Sequence, residues 1–160
     1  MAITHTVTFD DPAELAESVR TLGGLEFIER MMARGMRIPI GTTLGFRLVE
    51  ATAGHAVLEA VAGPASLNPM GGVQGGWYAC VLDAALGVCL HTLLPAGEYY
   101  TTIELQVRLV KAVRPDAGTL RATGRVVHRG RSTAITEARM EDANGVLYAH
   151  ATATQLLMKA

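Results

Sequence analysis

Asp83 is the only charged residue from Val73 to Leu94, inside the run WYACVLDAALGVCLHTLL, where nearly every other position is apolar or small. A carboxylate in such surroundings costs several kcal/mol unless it is paired or put to use. Eight residues upstream, Gly75 and Gly76 open the same run. If a helix starts there, its free N–H groups and the positive end of its dipole suit a developing oxyanion, and glycine lets a ligand approach the backbone closely. Asn68, in the loop before the glycines, adds a side-chain amide, although Asn68-Pro69 read alone is turn chemistry. Gly75 and Asp83 lie about 12 Å apart along one helix, too far to act on the same carbonyl carbon. Two antiparallel helices related by a two-fold axis could bring Gly75 of one subunit near the partner subunit's Asp83, so such a site should lie between subunits.

The element that carries these groups reads as one helix of about 20 residues, opened by Gly75-Gly76 and stopped by Pro95. A helix that is hydrophobic all round is buried in a protein or spans a membrane, and about 20 residues are enough to span. Asp83 at its centre and the strand-like segments that follow favour a buried helix wrapped by a sheet. Thr43 to Ala51 and His55 to Ala62 read as a strand pair across a short turn. After Tyr99 come TTIELQVRLV, GTLRATGRVVHR, STAITEARME and VLYAHATATQLLM. The first of these alternates, with Ile103, Leu105, Val107 and Leu109 on one face. Asp142 to Gly145 is a turn before the last strand.

The N-terminal part is helical. Asp10-Asp11-Pro12 starts AELAESVRTL, and LEFIERMMAR follows, with Leu25, Ile28 and Met32 on one stripe that reads as ordinary packing. The connections between later strands are short, so the sheet should be antiparallel and the class α+β. A sheet curled around one apolar helix leaves one side of that helix open, which argues for an oligomer.

Composition narrows the function. With 160 residues, 49% hydrophobic and 18% charged, the chain can bury one real core. A net charge of −1 gives no reason to expect nucleic acid. The start MAITHTVTFDDPAEL has neither the basic residues nor the apolar run of a signal peptide, which places the protein in the cytoplasm. Cys80 and Cys89 sit nine residues apart and point to opposite sides of the helix, so they share neither a disulfide nor a metal within one chain. His5, His55, His91, His128 and His150 show no metal-ligand spacing. There is no G-x-S-x-G elbow and no Walker loop, and GGVQGG is not a dinucleotide fingerprint.

Asn68-x-x-Gly71-x-x-Gln74-Gly75-Gly76, followed by Leu82-Asp83, resembles the signature of hotdog-fold acyl-CoA thioesterases of the PaaI (phenylacetic acid degradation) type. The likeness continues through TTIELQVRLVKAVRPDAGTLRATGRVVHRGRSTAITEARMED and covers about residues 40–157. It implies a single hotdog domain, with a core at 39–160, a helical extension at 1–38, and a five-stranded antiparallel sheet around the long helix. It also implies hydrolysis of an acyl- or aryl-CoA thioester to the free acid and coenzyme A. Asp83 would be the general base or nucleophile, Gly75 the backbone donor to the thioester carbonyl, and Asn68 the loop amide near it. Thr102 best matches the hydroxyl that positions water, with the adjacent Thr101, on the other face, as the alternative. Gln74 stands where the family usually has histidine; it can hydrogen-bond but cannot carry a proton at neutral pH.

Gln74 and Gly76 would line the substrate. Arg129 and Arg131 sit where relatives contact the CoA nucleotide, although either one alone reads equally well as a solvated strand end. No metal or redox cofactor is implied, and coenzyme A enters as part of the substrate. The minimal active unit would be a homodimer, commonly paired into a homotetramer. The alternatives are a non-catalytic acyl-CoA-binding protein and a hotdog hydratase, the latter disfavoured by Gln74.

Overall fold

The computed structural model describes residues 2–114 and 116–159. Met1, Pro115 and Ala160, which fall within the expected domain and the family-like stretch, lie outside the described residues. The chain runs α1 (Ala13–Ala16), α2 (Ser18–Thr21), α3 (Gly24–Ala33), α4 (Pro39–Leu44), β1 (Phe46–Thr52) and β2 (His55–Ala60). Then come α5 (Gly75–His91), β3 (Glu98–Leu109), β4 (Leu120–Arg129), β5 (Thr133–Glu141) and β6 (Leu147–Lys159). The sheet is antiparallel with six strands in the order β1-β2-β4-β5-β6-β3, one more than the five expected. The β1–β2 hairpin joins the same sheet because β2 pairs along β4 from His55↔Arg125 to Ala60↔Leu120.

Several boundaries differ from the sequence expectation. AELAESVRTL forms two separate turns of helix, α1 and α2, rather than one; Asp11 Oδ1 accepts the Ala13 N–H at 2.9 Å at its start. Thr43 and Leu44 belong to helix α4, not to the first strand. Pro39 opens that helix and Gly45, in the left-handed conformation (φ +74°), closes it by donating to the Gly41 carbonyl. The second strand ends at Ala60, short of Val61 and Ala62.

The long helix α5 has 17 residues and ends at His91, before Pro95 is reached. Thr92 stops it: its hydroxyl donates to the Cys89 carbonyl (2.7 Å) and accepts the Gly54 N–H (2.8 Å) from the β1–β2 turn. Among the described residues no helix is long and apolar enough to cross a membrane.

The core forms between α5 and the concave face of the sheet. Val81, Leu82, Ala85 and Leu86 are fully buried against Leu58, Leu120, Ala122, Ala138, Met140 and Ala151, and Leu90 is buried with Leu94 and Ala134 in a second cluster. Burying each leucine contributes roughly 2 kcal/mol. Helix and sheet backbones nearly touch at Gly124 of β4, where a Cβ would lie 2.3 Å from the Ala85 carbonyl oxygen. The other side of α5 stays partly open along Ala79, Cys80, Asp83, Ala84 and Val88. At the helix C-terminus α3 docks through the Gly24 N–H to the Leu94 carbonyl (2.8 Å) and Phe27 edge-on to His91 (5.1 Å between centroids).

The strict alternation expected for β3 fails at one position. Thr102 pairs with Gln155 and Glu104 with Thr154, so Ile103 has no partner and forms a bulge. Ile103 is 57% exposed, whereas Leu105 and Val107 pack on the core. Upstream of the bulge the residues facing α5 are Tyr100 and Thr102. Leu109 is also exposed, at 53%, and its methyl group lies over Gly75.

Candidate active site

Asp83 sits in the third turn of α5, half-buried on the open side of the helix. The bulge at Ile103 turns Thr102 toward it, and Thr102 Oγ1 donates to Asp83 Oδ1 at 3.1 Å. Thr101 is exposed on the opposite face. Thr102 is held in turn by β6, where its cross-strand neighbour Gln155 is fully buried and exchanges hydrogen bonds with Thr136 of β5.

Tyr100 near Asp83, and Cys89 and His91 farther along α5, are neutral groups. Burial, and then the Asp83 charge, pushes the Tyr100 phenol above its ordinary range. Tyr100 reaches helix α5 only because residue 87 is glycine; a Cβ there would lie 2.1 Å from the phenol oxygen. Burial pushes the Cys89 thiol up to about 12, so it stays a thiol and a poor nucleophile. His91 lies edge-on to Phe27 and to Tyr100 (5.1 and 6.2 Å between centroids) with its Nε2 buried and unpartnered. Burial lowers its pKa, which favours the uncharged ring. A carboxylate fixed by a hydroxyl can accept a proton from water or attack an acyl carbon.

The N-terminus of α5 is presented by a tight loop. Leu67 bridges to Val73, the Asn68 N–H donates to the Gly72 carbonyl (2.8 Å), and the Gln74 N–H donates to the Ser66 carbonyl (2.8 Å). Asn68 Oδ1 accepts the N–H groups of Met70 (3.0 Å) and Gly72 (3.1 Å), the turn chemistry its sequence suggests. Its Nδ2 has no partner among the described residues. Gln74 is the N-cap residue, extended (φ −67°, ψ 137°), with an exposed side chain that makes no capping bond. Gly75 and Gly76 follow as the first helical residues, whose N–H groups have no acceptor one turn back. Trp77 anchors this end by donating from Nε1 to the Leu44 carbonyl (2.8 Å).

Within one chain, then, Asp83 and Thr102 come together, and Asn68, Gln74, Gly75 and Gly76 form a second group about two helical turns away. The arginines lie at the far ends of β4 and the following turn. Arg129 is engaged by Glu98 at the start of β3 (2.7 Å), whereas Arg131 is exposed and makes no ion pair among the described residues. Sequence reasoning missed Tyr100 and Gly87; Tyr100 could have been found from its two-residue spacing to Thr102, which puts both on one face of a strand.

The other flank of α5 is different. A cavity of about 1010 Å³ opens there, bordered by Ala84 and Val88 of α5, Leu48 of β1, and Met31, Met32 and Met36. Of the α3 stripe expected to pack, Ile28 is buried (3% exposed), but Met32 faces this space and stands outside the core clusters.

The sequence profile of the thioesterase superfamily matches residues 70–149, half of the chain. No curated protein matches it. Among solved structures, a putative thioesterase from Ralstonia eutropha JMP134, a phenylacetic acid degradation-related protein, is 31% identical with a TM-score of 0.70. That likeness covers 79% of this chain and 97% of the other. A hypothetical thioesterase protein with coenzyme A from Streptococcus pneumoniae TIGR4 is 24% identical (TM-score 0.65), covering 72% of this chain and 87% of the other. A Streptococcus mutans UA159 protein bound to acetyl CoA gives 24% and 0.65 over 72% of this chain and 90% of its own. At that identity the two streptococcal proteins share the hotdog fold.

Proposed function

This chain belongs to the thioesterase superfamily and is a thioester hydrolase, and we propose that its substrate is an acyl- or aryl-CoA, released as the free acid and coenzyme A. The observation that carries this reading is the Thr102 Oγ1 to Asp83 Oδ1 hydrogen bond (3.1 Å) on the open side of α5. The bond fixes one carboxylate oxygen and leaves the other for chemistry. Coenzyme A and acetyl CoA in the two streptococcal proteins of the same fold support a CoA ester.

In the proposed reaction Asp83 takes a proton from a water held near Thr102, and the water oxygen attacks the thioester carbonyl carbon. Attack by the carboxylate itself, through an anhydride that water then cleaves, uses the same placement. The carbonyl oxygen gains charge and is met by the Gly75 N–H, with Asn68 Nδ2 close by and Gln74 and Gly76 lining the approach. The C–S bond then breaks and the CoA sulfur leaves, taking up a proton. Arg131, with Arg129, meets the nucleotide phosphates, a contact made in ground and transition states alike.

Because Gly75 and Asp83 of one chain are about 12 Å apart, the site takes Gly75 from one subunit and Asp83 from the other. The working unit is a homodimer, paired into a homotetramer, in the cytoplasm. The single hotdog domain works without a metal or redox cofactor.

Thiol release from a panel of CoA esters tests the activity, and subunit mixing tests the shared site. Asp83→Asn and Gly75→Pro chains are each inactive. Gln74 already has the extended backbone a following proline requires, so Gly75→Pro removes the N–H without breaking the helix start. An equal mixture regains about a quarter of wild-type turnover, because half the dimers are mixed and each has one intact site. Mixed dimers confirmed by mass spectrometry but lacking activity would rule out the shared site.

A further inference from the structure

We infer that the Tyr100 hydroxyl is a further catalytic group, which with Asp83 and Thr102 holds the water that attacks the thioester. This rests on the thioester-hydrolase reading above and adds to it a residue that touches the attacking oxygen.

Strand β3 runs antiparallel along α5, with Leu109 at Gly75, Thr102 at Asp83 and Tyr100 at Gly87. Tyr100 and Thr102 are two residues apart on the same side of the bulge, so both face the helix. Residues 83 and 87 are likewise one turn apart on one face of α5. The Tyr100 ring packs with Leu90 and Leu94 and lies 6.2 Å from His91, while its hydroxyl stands over Gly87. The polar end of the side chain therefore points along α5 toward Asp83. The hydroxyl occupies the place of a side chain at residue 87, and such places four residues apart on a helix are about 5–6 Å from each other. One water bonded to two oxygens, at about 2.8 Å from each, spans a gap of up to about 5.5 Å. The spacing suits a single water between phenol and carboxylate.

The phenol has a proton to give and no acceptor for it. Its hydroxyl makes no hydrogen bond among the described residues, yet its oxygen is not sealed from water: the fully buried side-chain polar atom left without a partner there is His91 Nε2. Burial and the Asp83 charge keep the phenol protonated, so it is a donor throughout the reaction. Thr102 gives its own proton to Asp83 Oδ1, which leaves Thr102 Oγ1 free to accept. A water at this place donates one hydrogen to Asp83 and the other to Thr102 Oγ1, and accepts the Tyr100 proton in a hydrogen bond. Its remaining lone pair is left for the thioester carbon. Asp83 takes the first hydrogen as a proton while the C–O bond forms, and the C–S bond breaks when the tetrahedral intermediate collapses, with the sulfur taking up a proton. Tyr100 keeps its own proton at every step.

The test measures kcat and KM, on a CoA ester that the wild type hydrolyses, for Tyr100→Phe, Asp83→Asn and the double variant. Tyr100→Phe keeps the ring and its packing and removes only the hydroxyl. Its kcat falls about tenfold with KM unchanged, because the lost bond is to the attacking water and not to the substrate. In the Asp83→Asn background the same change costs less than about threefold, since the hydroxyl acts on the water that Asp83 deprotonates. A packing role would give neither the split between kcat and KM nor this coupling. Wild-type kcat in Tyr100→Phe, a loss confined to KM, or a full tenfold loss on top of Asp83→Asn overturns the inference while leaving thioester hydrolysis standing. A fall in activity that matches a loss of folded protein in circular dichroism would make Tyr100 a packing residue and overturn it too. No hydrolysis of any CoA ester by the wild type would remove the acyl-CoA reading itself, and the inference with it.

Discussion

The two flanks of α5 are built to opposite specifications. Along β3 the packing is so close that a glycine at 87 is needed to admit the Tyr100 hydroxyl, and Thr102 holds Asp83 by a 3.1 Å hydrogen bond. Along α3 and β1 the same helix presents Ala84 and Val88 to a cavity of about 1010 Å³. Adjacent residues of one helix, Asp83 and Ala84, thus meet different surroundings. A carboxylate that acts on a reacting atom needs a fixed position, which dense packing supplies. On the other flank, small side chains on α5 with flexible ones across from it leave volume unfilled.

The largest expected effect tests whether the β3 flank is the chemical one. Asp83→Asn lowers kcat by about a hundredfold or more, the scale of losing a general base or nucleophile, with an unchanged circular dichroism spectrum. Near-normal turnover in the purified variant would remove Asp83 from the reaction. Thr102→Val comes next, lowering kcat by about tenfold as the carboxylate loses the bond that orients it. Thr102→Ser, which keeps the hydroxyl, should recover most of that loss. If serine and valine behave alike, the strand packs the helix and does not position the acid.

Stability measurements sharpen the contrast further. Gly87→Ala forces a Cβ to within 2.1 Å of the Tyr100 oxygen and should cost about 1–3 kcal/mol in urea unfolding. Tyr100→Phe in the same chain should return part of it. Val88→Ala, one residue on and facing the cavity, should cost under about 1 kcal/mol because its side chain is only half-buried. Equal losses at 87 and 88 would mean that the two flanks are packed alike.

The smallest effect is a pH dependence. His91 on the β3 flank has its pKa lowered by burial from the usual 6.5. As pH falls below about 6.5 the unfolded chain takes up a proton that the folded chain refuses, so stability declines through that window. His91→Phe should flatten the decline. An unaltered pH–stability curve in that variant would show that His91 can be protonated in place.

The strongly patterned parts of the molecule were legible in the sequence. The apolar run after Gly76, the turn at Asp142 to Gly145 and the antiparallel strands from Tyr99 onward all appear where period and punctuation put them. Boundaries were less so. The Pro39 and Gly45 signals of α4 were present, but β-branched Thr43 read as the start of a strand, and Thr92 ended α5 earlier than Pro95 would have. The strand count was set by a long-range pairing, β2 along β4, for which no local signal exists.

The same division holds at the candidate site. Composition alone isolates Asp83, because one carboxylate among apolar residues has a desolvation cost that local sequence makes visible. Helix rise alone separates it from Gly75 by about 12 Å. What only the tertiary structure decided is which β3 residues face it. Regular alternation puts Ile103, Leu105, Val107 and Leu109 on one face, and Thr102 on the face away from them. The bulge at Ile103 shifts the register against β6 by one residue, so Thr102 upstream and Leu105 and Val107 downstream all turn inward. A bulge arises from how two strands distant in sequence share hydrogen bonds, and either phase of β3 is compatible with its local pattern until β6 is paired beside it.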